Sequence, residues 1–244
     1  EESGRNLRPD PLTMNPIAFF FPMNCPACGG APFDGTPNML CADCLRKMPF
    51  VSGEECPGCG AELHGVLAVC PDCLRAPKRP WKRAFTLCRM DGLARDLILG
   101  VKFRKTPEFA RAVGSLLGRK IARLLPPGAA DCVAPVPLHW TRQLMRGYNQ
   151  AELLAEGVAR ETGLPLIRPL RRRRRTRQQT KLNREERLAN LKDAFCVKNS
   201  HKCENRAILI VDDVMTTGAT LAFAASALLD AGARAVYAAS AARR

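Results

Sequence analysis

Four CxxC pairs between residues 25 and 73 constrain this chain more tightly than any other feature. They read CPAC (Cys25, Cys28), CADC (Cys41, Cys44), CPGC (Cys56, Cys59) and CPDC (Cys70, Cys73), separated by 12, 11 and 10 residues. Two residues between cysteines let both thiolates face one metal from a tight knuckle, and gaps of this length let short hairpins join two knuckles around one tetrahedral ion. Gly29, Gly30 and Gly60 supply turns at the knuckles. So short a segment cannot hold itself together by apolar burial, whereas ligand bonds can. The expectation is two structural zinc ions, one on Cys25, Cys28, Cys41 and Cys44, the other on Cys56, Cys59, Cys70 and Cys73. Interleaved pairing, one degenerate site, and disulfide or redox CxxC chemistry are the alternatives. Four ligands per ion leave no open position, which points to structure rather than catalysis, and each closed four-thiolate site carries net −2. Cys88, Cys132, Cys196 and Cys203 are scattered and read as buried free thiols. His64, His139 and His201 have no ligand or triad spacing around them.

Length and charge bound the remainder. With 244 residues, 46% of them hydrophobic, the chain has material for a real core and about two domains, which excludes a disordered protein. Residues 1–80 carry 7 Lys and Arg against 9 Asp and Glu, leaving 31 against 14 in the remainder, a net +17. The basic C-terminal part favours anionic ligands, either phosphorylated small molecules or nucleic acid. No apolar run approaches the roughly 18–20 residues of a membrane span, and PIAFFFPM near the start lacks a basic n-region and a small-residue cleavage site. A soluble, cytoplasmic protein without membrane insertion is expected. Because the first residue is Glu1 rather than Met, an upstream segment stays open.

The organisation follows from composition and periodicity. Residues 1–24 read as an N-terminal segment docking on a domain, 25–74 as the double ribbon, and RAPKRPWKR (75–83), rich in Pro and Arg, as a linker. From 84 to 244 strands and helices alternate. AFTLCRM, DCVAPVPL, DAFCV and ARAVYAAS read as strands; DGLARDLILGVKF, PEFARAVGSLLGRKIARLL and NQAELLAEGVARETG read as helices, the last stopped by Gly163. This alternation predicts an α/β domain with a mostly parallel sheet, flanking helices, and a site at the C-terminal ends of the strands.

The stretch ILIVDDVMTTGATL (208–221) is where that site is expected. A strand over 207–211 meets two adjacent carboxylates, then a polar turn, then a helix closed by Gly232. A strand-to-helix turn delivers free backbone N–H groups and a helix dipole to the crevice, which attract an anion. The Thr216–Thr220 hydroxyls add donors, and Gly218 lets the backbone wrap closely. No Lys follows in GxxxxGK[ST] spacing, which disfavours ordinary nucleotide hydrolysis. Asp212 and Asp213 would repel a phosphate and call instead for hydroxyls or a metal. A sugar phosphate answers both demands, with its 5-phosphate on the turn, its ribose hydroxyls on the carboxylates and Mg²⁺ nearby. Acidic N-capping of an ordinary helix is the alternative, although a cap requires only one Asp.

ILIVDDVMTTGAT resembles the PRPP-binding signature of type I phosphoribosyltransferases. The resemblance implies that Asp212 and Asp213 hold the ribose hydroxyls while Thr216, Thr217, Gly218, Ala219 and Thr220 hold the 5-phosphate, with Mg²⁺ accompanying PRPP. PVPLHWTRQLMRGYNQAELLA (135–155), RTRQQTKLNREERLANLKDAF (175–195) and the CxxC ribbons resemble the ComF family, competence protein F and its ComFC-like relatives, over nearly the whole chain. That likeness implies a phosphoribosyltransferase-like fold, a pyrophosphate loop at PVPLHW with Arg142 and Arg146 nearby, and a closing loop containing Gln179, Arg184, Arg187 and Asn190. Arg142, Arg146 and Arg184 are the catalytic candidates on this basis. Tyr148 stands where Phe is also common. The implied role is phosphoribosyl transfer to an unspecified acceptor, in support of DNA uptake or nucleotide-related metabolism. The competing role is a non-catalytic PRPP sensor or single-stranded-DNA handler working with competence-machinery proteins. The run Arg171–Arg175 reads as a solvated basic segment, with phosphate or nucleic-acid contact as the alternative. With aromatics at only 6%, no base-stacking platform is evident.

Overall fold

The computed structural model describes residues 24–25, 27–30, 40–76, 78–104, 107–138, 147–173 and 194–244. Its centre is a four-stranded sheet of β1 (Ala84–Arg89), β2 (Cys132–Pro135), β5 (Ala207–Met215) and β6 (Ala235–Arg243), in the order β1-β6-β5-β2. All three pairings are parallel. A smaller antiparallel pair joins β3 (Leu170–Arg172) to β4 (Phe195–Val197). The α/β class and the mostly parallel sheet expected from the alternating pattern are therefore present.

Both faces of the parallel sheet are covered, which is why β5 opens as an unbroken apolar run rather than an alternating one. On one face lie α4 (Pro107–Leu124) and α5 (Gln150–Thr162), beyond α3 (Gly92–Arg104). Phe109, Val113, Leu117 and Ile121 recur every fourth residue of α4 and are buried with Leu209 and Val211 of β5. On the other face, Leu221, Ala224, Ala225 and Leu228 of α6 (Ala219–Asp230) pack with Ile208 and Ile210. Each such Ile or Leu contributes about 1.5–3 kcal/mol by leaving water. The helices α4 and α5 cross closely through glycine. A Cβ on Gly114 would lie 2.3 Å from Leu154 O, and one on Gly157 would lie 2.4 Å from Arg111 O.

The strands bearing the site run further than the hydrophobic pattern indicated. β5 passes through both carboxylates to Met215, because β6 also extends to Arg243 and supplies partners: Asp212 pairs with Ser240, Val214 with Ala242 and Met215 with Arg243. The apolar pattern ends at Val211, yet backbone pairing needs no apolar side chain. β2 is shorter than DCVAPVPL suggested, ending at Pro135.

The ribbon module, with short helices α1 (Ala42–Arg46) and α2 (Pro71–Leu74), docks along β1. Val51 N donates to Leu87 O at 3.0 Å and Ala84 N to Pro57 O at 2.8 Å. Thr86 Oγ1 donates to Cys59 O at 3.1 Å. Cys25, Leu40, Cys44 and Met48 share a buried cluster with Phe85 and Leu117, so the ribbons are continuous with the domain core. Among the described residues, no helix is long and apolar enough to cross a membrane.

Candidate functional site

The eight CxxC cysteines converge as two quartets, Cys25/Cys28/Cys41/Cys44 and Cys56/Cys59/Cys70/Cys73, with all Sγ atoms of a quartet within 4.8 Å of one another. This is sequential pairing, and all eight are free thiols rather than disulfides. The Sγ atoms of Cys28 and Cys41 are 3.9 Å apart, those of Cys59 and Cys70 3.6 Å. A zinc tetrahedron with bonds of about 2.3 Å has an S···S edge of about 3.8 Å, so the donor set fits that ion. In each quartet a backbone N–H crosses from the second knuckle to the first: Cys41 N to Cys25 Sγ at 3.5 Å and Cys70 N to Cys56 Sγ at 3.4 Å. Burial raises the thiol pKa values of Cys44 to about 12 and Cys73 to about 11. At Cys25 and Cys56 burial acts in the same direction, but the N–H donors outweigh it and the pKa falls. Each quartet therefore sets a thiol whose charged form is favoured by N–H donors beside one whose charged form burial disfavours.

The remaining four cysteines are free thiols, and three of them are buried as expected, whereas Cys196 is not. Burial pushes Cys88 up to about 12 and Cys132 to about 11, and raises Cys203 as well. Cys196 is half-buried on β4. His64 and His201 are exposed, and His139 lies outside the described residues.

The second candidate site lies where β5 ends. Asp212, Asp213, Thr216, Thr217, Gly218, Ala219 and Thr220 form one strand–turn–helix unit, with Gly218 as the N-cap of α6 at φ 76°. That left-handed conformation is open to glycine at little cost. Both carboxylates are half-buried. Asp212 Oδ1 accepts from Asp213 N at 2.8 Å and Asp213 Oδ1 from Val214 N at 2.7 Å, while Thr217 Oγ1 accepts from Ala219 N at 3.4 Å. Asp213 also borders a cavity whose walls include Ile98, Phe109, Val113 and Leu154.

The loop after β2 leaves the sheet beside these acids. Pro135 pairs with Val211, and Val136 N donates to Val211 O at 2.9 Å. Asn149 anchors the far end of that loop: its Nδ2 donates to Val136 O at 3.1 Å while Oδ1 accepts from Ala151 N at 3.2 Å, capping α5. Arg142 and Arg146 fall between these anchors, outside the described residues, as do Gln179, Arg184, Arg187 and Asn190. Of the arginine run, Arg171 and Arg172 belong to β3, with Arg172 5.3 Å from the ring centroid of Phe195; Arg174 and Arg175 lie outside the described residues.

Two neighbours of this turn lie outside the motif. Arg79 Nη1 donates to Thr217 O at 2.8 Å, and the Trp81 ring lies under the Arg79 guanidinium at 5.5 Å. The signal was present in RAPKRPWKR, where a tryptophan interrupts an otherwise polar stretch. At the neighbouring strand end, Arg243 meets the second quartet, with Nη2 3.1 Å from Asp72 Oδ2. Burial opposes its charge, but Cys59, Cys70 and Asp72 outweigh that and raise its pKa.

Comparison with known proteins gives this arrangement its context. Residues 17–74 match a double zinc ribbon domain, and residues 145–244 match a phosphoribosyl transferase domain. Competence protein ComFC of Bacillus subtilis is 32% identical over 79% of this chain and 79% of its own length. DNA utilization protein YhgH of Escherichia coli is 35% identical over 81% of this chain and 87% of its own. Adenine phosphoribosyltransferase from Leishmania tarentolae superposes at a TM-score of 0.39 with 12% identity, covering 66% of this chain and 91% of that one. With relatives this similar along most of both chains, and with both domain matches in the same order, the chain belongs to the ComF family, a double zinc ribbon joined to a type I phosphoribosyltransferase-like domain.

Proposed function

We propose that the chain binds PRPP at the end of β5 and transfers its phosphoribosyl group to a nitrogen nucleophile. The observation that carries this reading is the single unit Asp212–Thr220, in which two carboxylates precede a glycine-capped helix start, beside the loop leaving β2. Asp212 and Asp213 accept from the ribose 2- and 3-hydroxyls, while the N–H groups and hydroxyls of Thr216, Thr217, Gly218, Ala219 and Thr220 hold the 5-phosphate. In the reaction the bond from C1 to the pyrophosphate oxygen breaks, pyrophosphate leaves with the electron pair, and the acceptor nitrogen bonds to C1 and releases a proton. Mg²⁺, when bound, neutralises charge on the leaving pyrophosphate. Following the family resemblance, Arg142 and Arg146 add positive charge from the loop after β2, and Arg184 from the segment before β4. Little covalent chemistry falls to the protein, whose contribution is orientation, charge and exclusion of water. The two ribbons hold structural Zn²⁺, and the protein works in the cytoplasm.

The test is a screen in which PRPP and Mg²⁺ are supplied with a panel of nucleobases and amines, and pyrophosphate release is followed. Release dependent on one acceptor class supports transfer. PRPP that binds without release favours a sensor, and absence of PRPP binding removes the reading altogether.

A nucleic-acid role is the second reading. It is favoured by the net +17 of residues 81–244 and by the names of the relatives, one a competence protein and the other a DNA utilization protein. Single-stranded DNA would then bind weakly, with affinity falling steeply as salt rises, and replacing Arg171–Arg175 by Ser would flatten that slope. Salt-insensitive affinity, or an unchanged slope in the variant, excludes the basic run as the contact. Association with competence-machinery proteins belongs to this second reading.

A further inference from the structure

Arg79 lies between the two modules, and its contacts run in both directions. Toward the domain, Nη1 donates to Thr217 O at 2.8 Å. A Cβ placed on Gly218 would come 2.9 Å from the same Nη1 and 3.5 Å from Trp81 Cη2, so the phosphate turn rests directly on this pair. Toward the ribbon, Trp81 is only 8% exposed and its Nε1 donates to Gly58 O at 3.1 Å. Gly58 lies inside the knuckle Cys56–Cys59, and a Cβ on it would meet Cys73 Sγ at 2.9 Å. The contacts therefore run without interruption from the second cysteine quartet through Gly58, Trp81 and Arg79 to Thr217.

The geometry points to Arg79 as a positioning residue for the phosphate turn, held in place by the second zinc ribbon; this rests on the reading that the turn receives a 5-phosphate. In a trans peptide the C=O and the following N–H point in opposite directions. A guanidinium fixed on Thr217 O therefore orients the Gly218 N–H away from itself. The same bond polarises that peptide, making its N–H a stronger donor. A carbonyl–guanidinium contact adds positive charge near the anion without occupying the anion's place. The turn thus has a substitute for the Lys that a GxxxxGK[ST] loop would carry, supplied from outside the motif.

The test uses the full zinc-loaded chain, titrated calorimetrically with ribose 5-phosphate and followed in parallel by the amide resonance of Gly218. Wild-type protein binds the ligand and shifts the Gly218 resonance. Arg79→Met weakens binding by about 10-fold or more, as expected for loss of a charge-assisted hydrogen bond, and abolishes most of the resonance shift. Arg79→Lys, which keeps the charge and a donor, recovers part of both. Trp81→Phe keeps a ring beneath the guanidinium but loses the bond to Gly58; it weakens binding several-fold in the wild-type background and adds nothing in Arg79→Met, with zinc content unchanged throughout. Wild-type affinity in Arg79→Met, or additive losses in the double variant, overturns the positioning role while leaving the phosphate site intact. Absence of ribose 5-phosphate binding by the wild-type protein overturns the site reading and this inference with it.

Discussion

Lys120 Nζ lies 2.8 Å from Glu55 Oε1, with the side chains 14% and 4% exposed, and thereby fastens helix α4 to the second ribbon through a buried ion pair. The ammonium also donates to Thr86 O at 2.6 Å and Val51 O at 3.2 Å, so one cation gathers ribbon, β1 and helix. Removing one partner of a buried pair leaves the other charge without compensation. Lys120→Met should destabilise the fold by about 3–5 kcal/mol, while adding Glu55→Leu should recover a substantial part of that loss. Urea unfolding of the two single variants and the double variant measures the coupling, and additive losses would show that the pair does not act as a unit.

Metal removal should reach beyond the ribbons. Elemental analysis of purified protein should give about two zinc ions per chain, consistent with two closed four-cysteine sites. Because Cys25 and Cys44 share a core cluster with Phe85 and Leu117, chelation should lower the thermal midpoint of the α/β domain as well as unfold the ribbons. Calorimetric scans with and without chelator test this, and an unchanged domain transition would show that the modules are energetically separate.

Helix α5 approaches α4 through Gly157, where a Cβ would lie 2.4 Å from Arg111 O and 2.6 Å from Ser115 N. The obstacle is backbone, which cannot swing aside as a flexible side chain can. Gly157→Ala should therefore cost about 1–3 kcal/mol by overpacking, despite alanine's greater helix propensity. Chemical denaturation reads the sign, and a stabilised variant would mean that the helices separate at little cost.

At the turn proposed to hold the 5-phosphate, Gly218→Val places a branched side chain at φ 76° and against Arg79 Nη1. The strain is about 1–3 kcal/mol, and the loss should appear in the binding of PRPP, ribose 5-phosphate and inorganic phosphate alike. Wild-type affinity for all three in a folded variant would remove the turn from the site.

Much of this architecture could be read in the sequence because local chemistry specified it. The CxxC spacing named both quartets, and the apolar run 207–211 followed by Asp212, Asp213 and a Thr/Gly turn located the strand–helix junction. The same logic failed where the determinant was long-range. Strand β5 continues through its carboxylates because β6, more than twenty residues away, supplies backbone partners for Asp212 and Met215. The linker reading of 75–83 could not register that Trp81 is buried or that Arg79 meets a carbonyl 138 residues further along the chain. Nothing local to Gly157 registers the Arg111 carbonyl and the Ser115 amide that face it across the helix crossing. Composition and periodicity register a residue's own preferences, whereas these roles belong to contacts between distant segments.

The two halves of the β5 junction should respond differently to ligand, and calorimetric titration of Asp212→Asn/Asp213→Asn with PRPP, ribose 5-phosphate and inorganic phosphate, with and without Mg²⁺, separates them most directly. The amides keep the shape of the carboxylates but lose charge-assisted acceptance from the ribose hydroxyls and the attraction for Mg²⁺. PRPP and ribose 5-phosphate should bind at least about 10-fold more weakly, the scale of losing hydrogen bonds to a charged group, while inorganic phosphate binds as well as before or better once two negative charges are gone. A folded variant with unchanged PRPP affinity would show that Asp212 and Asp213 do not hold the ribose.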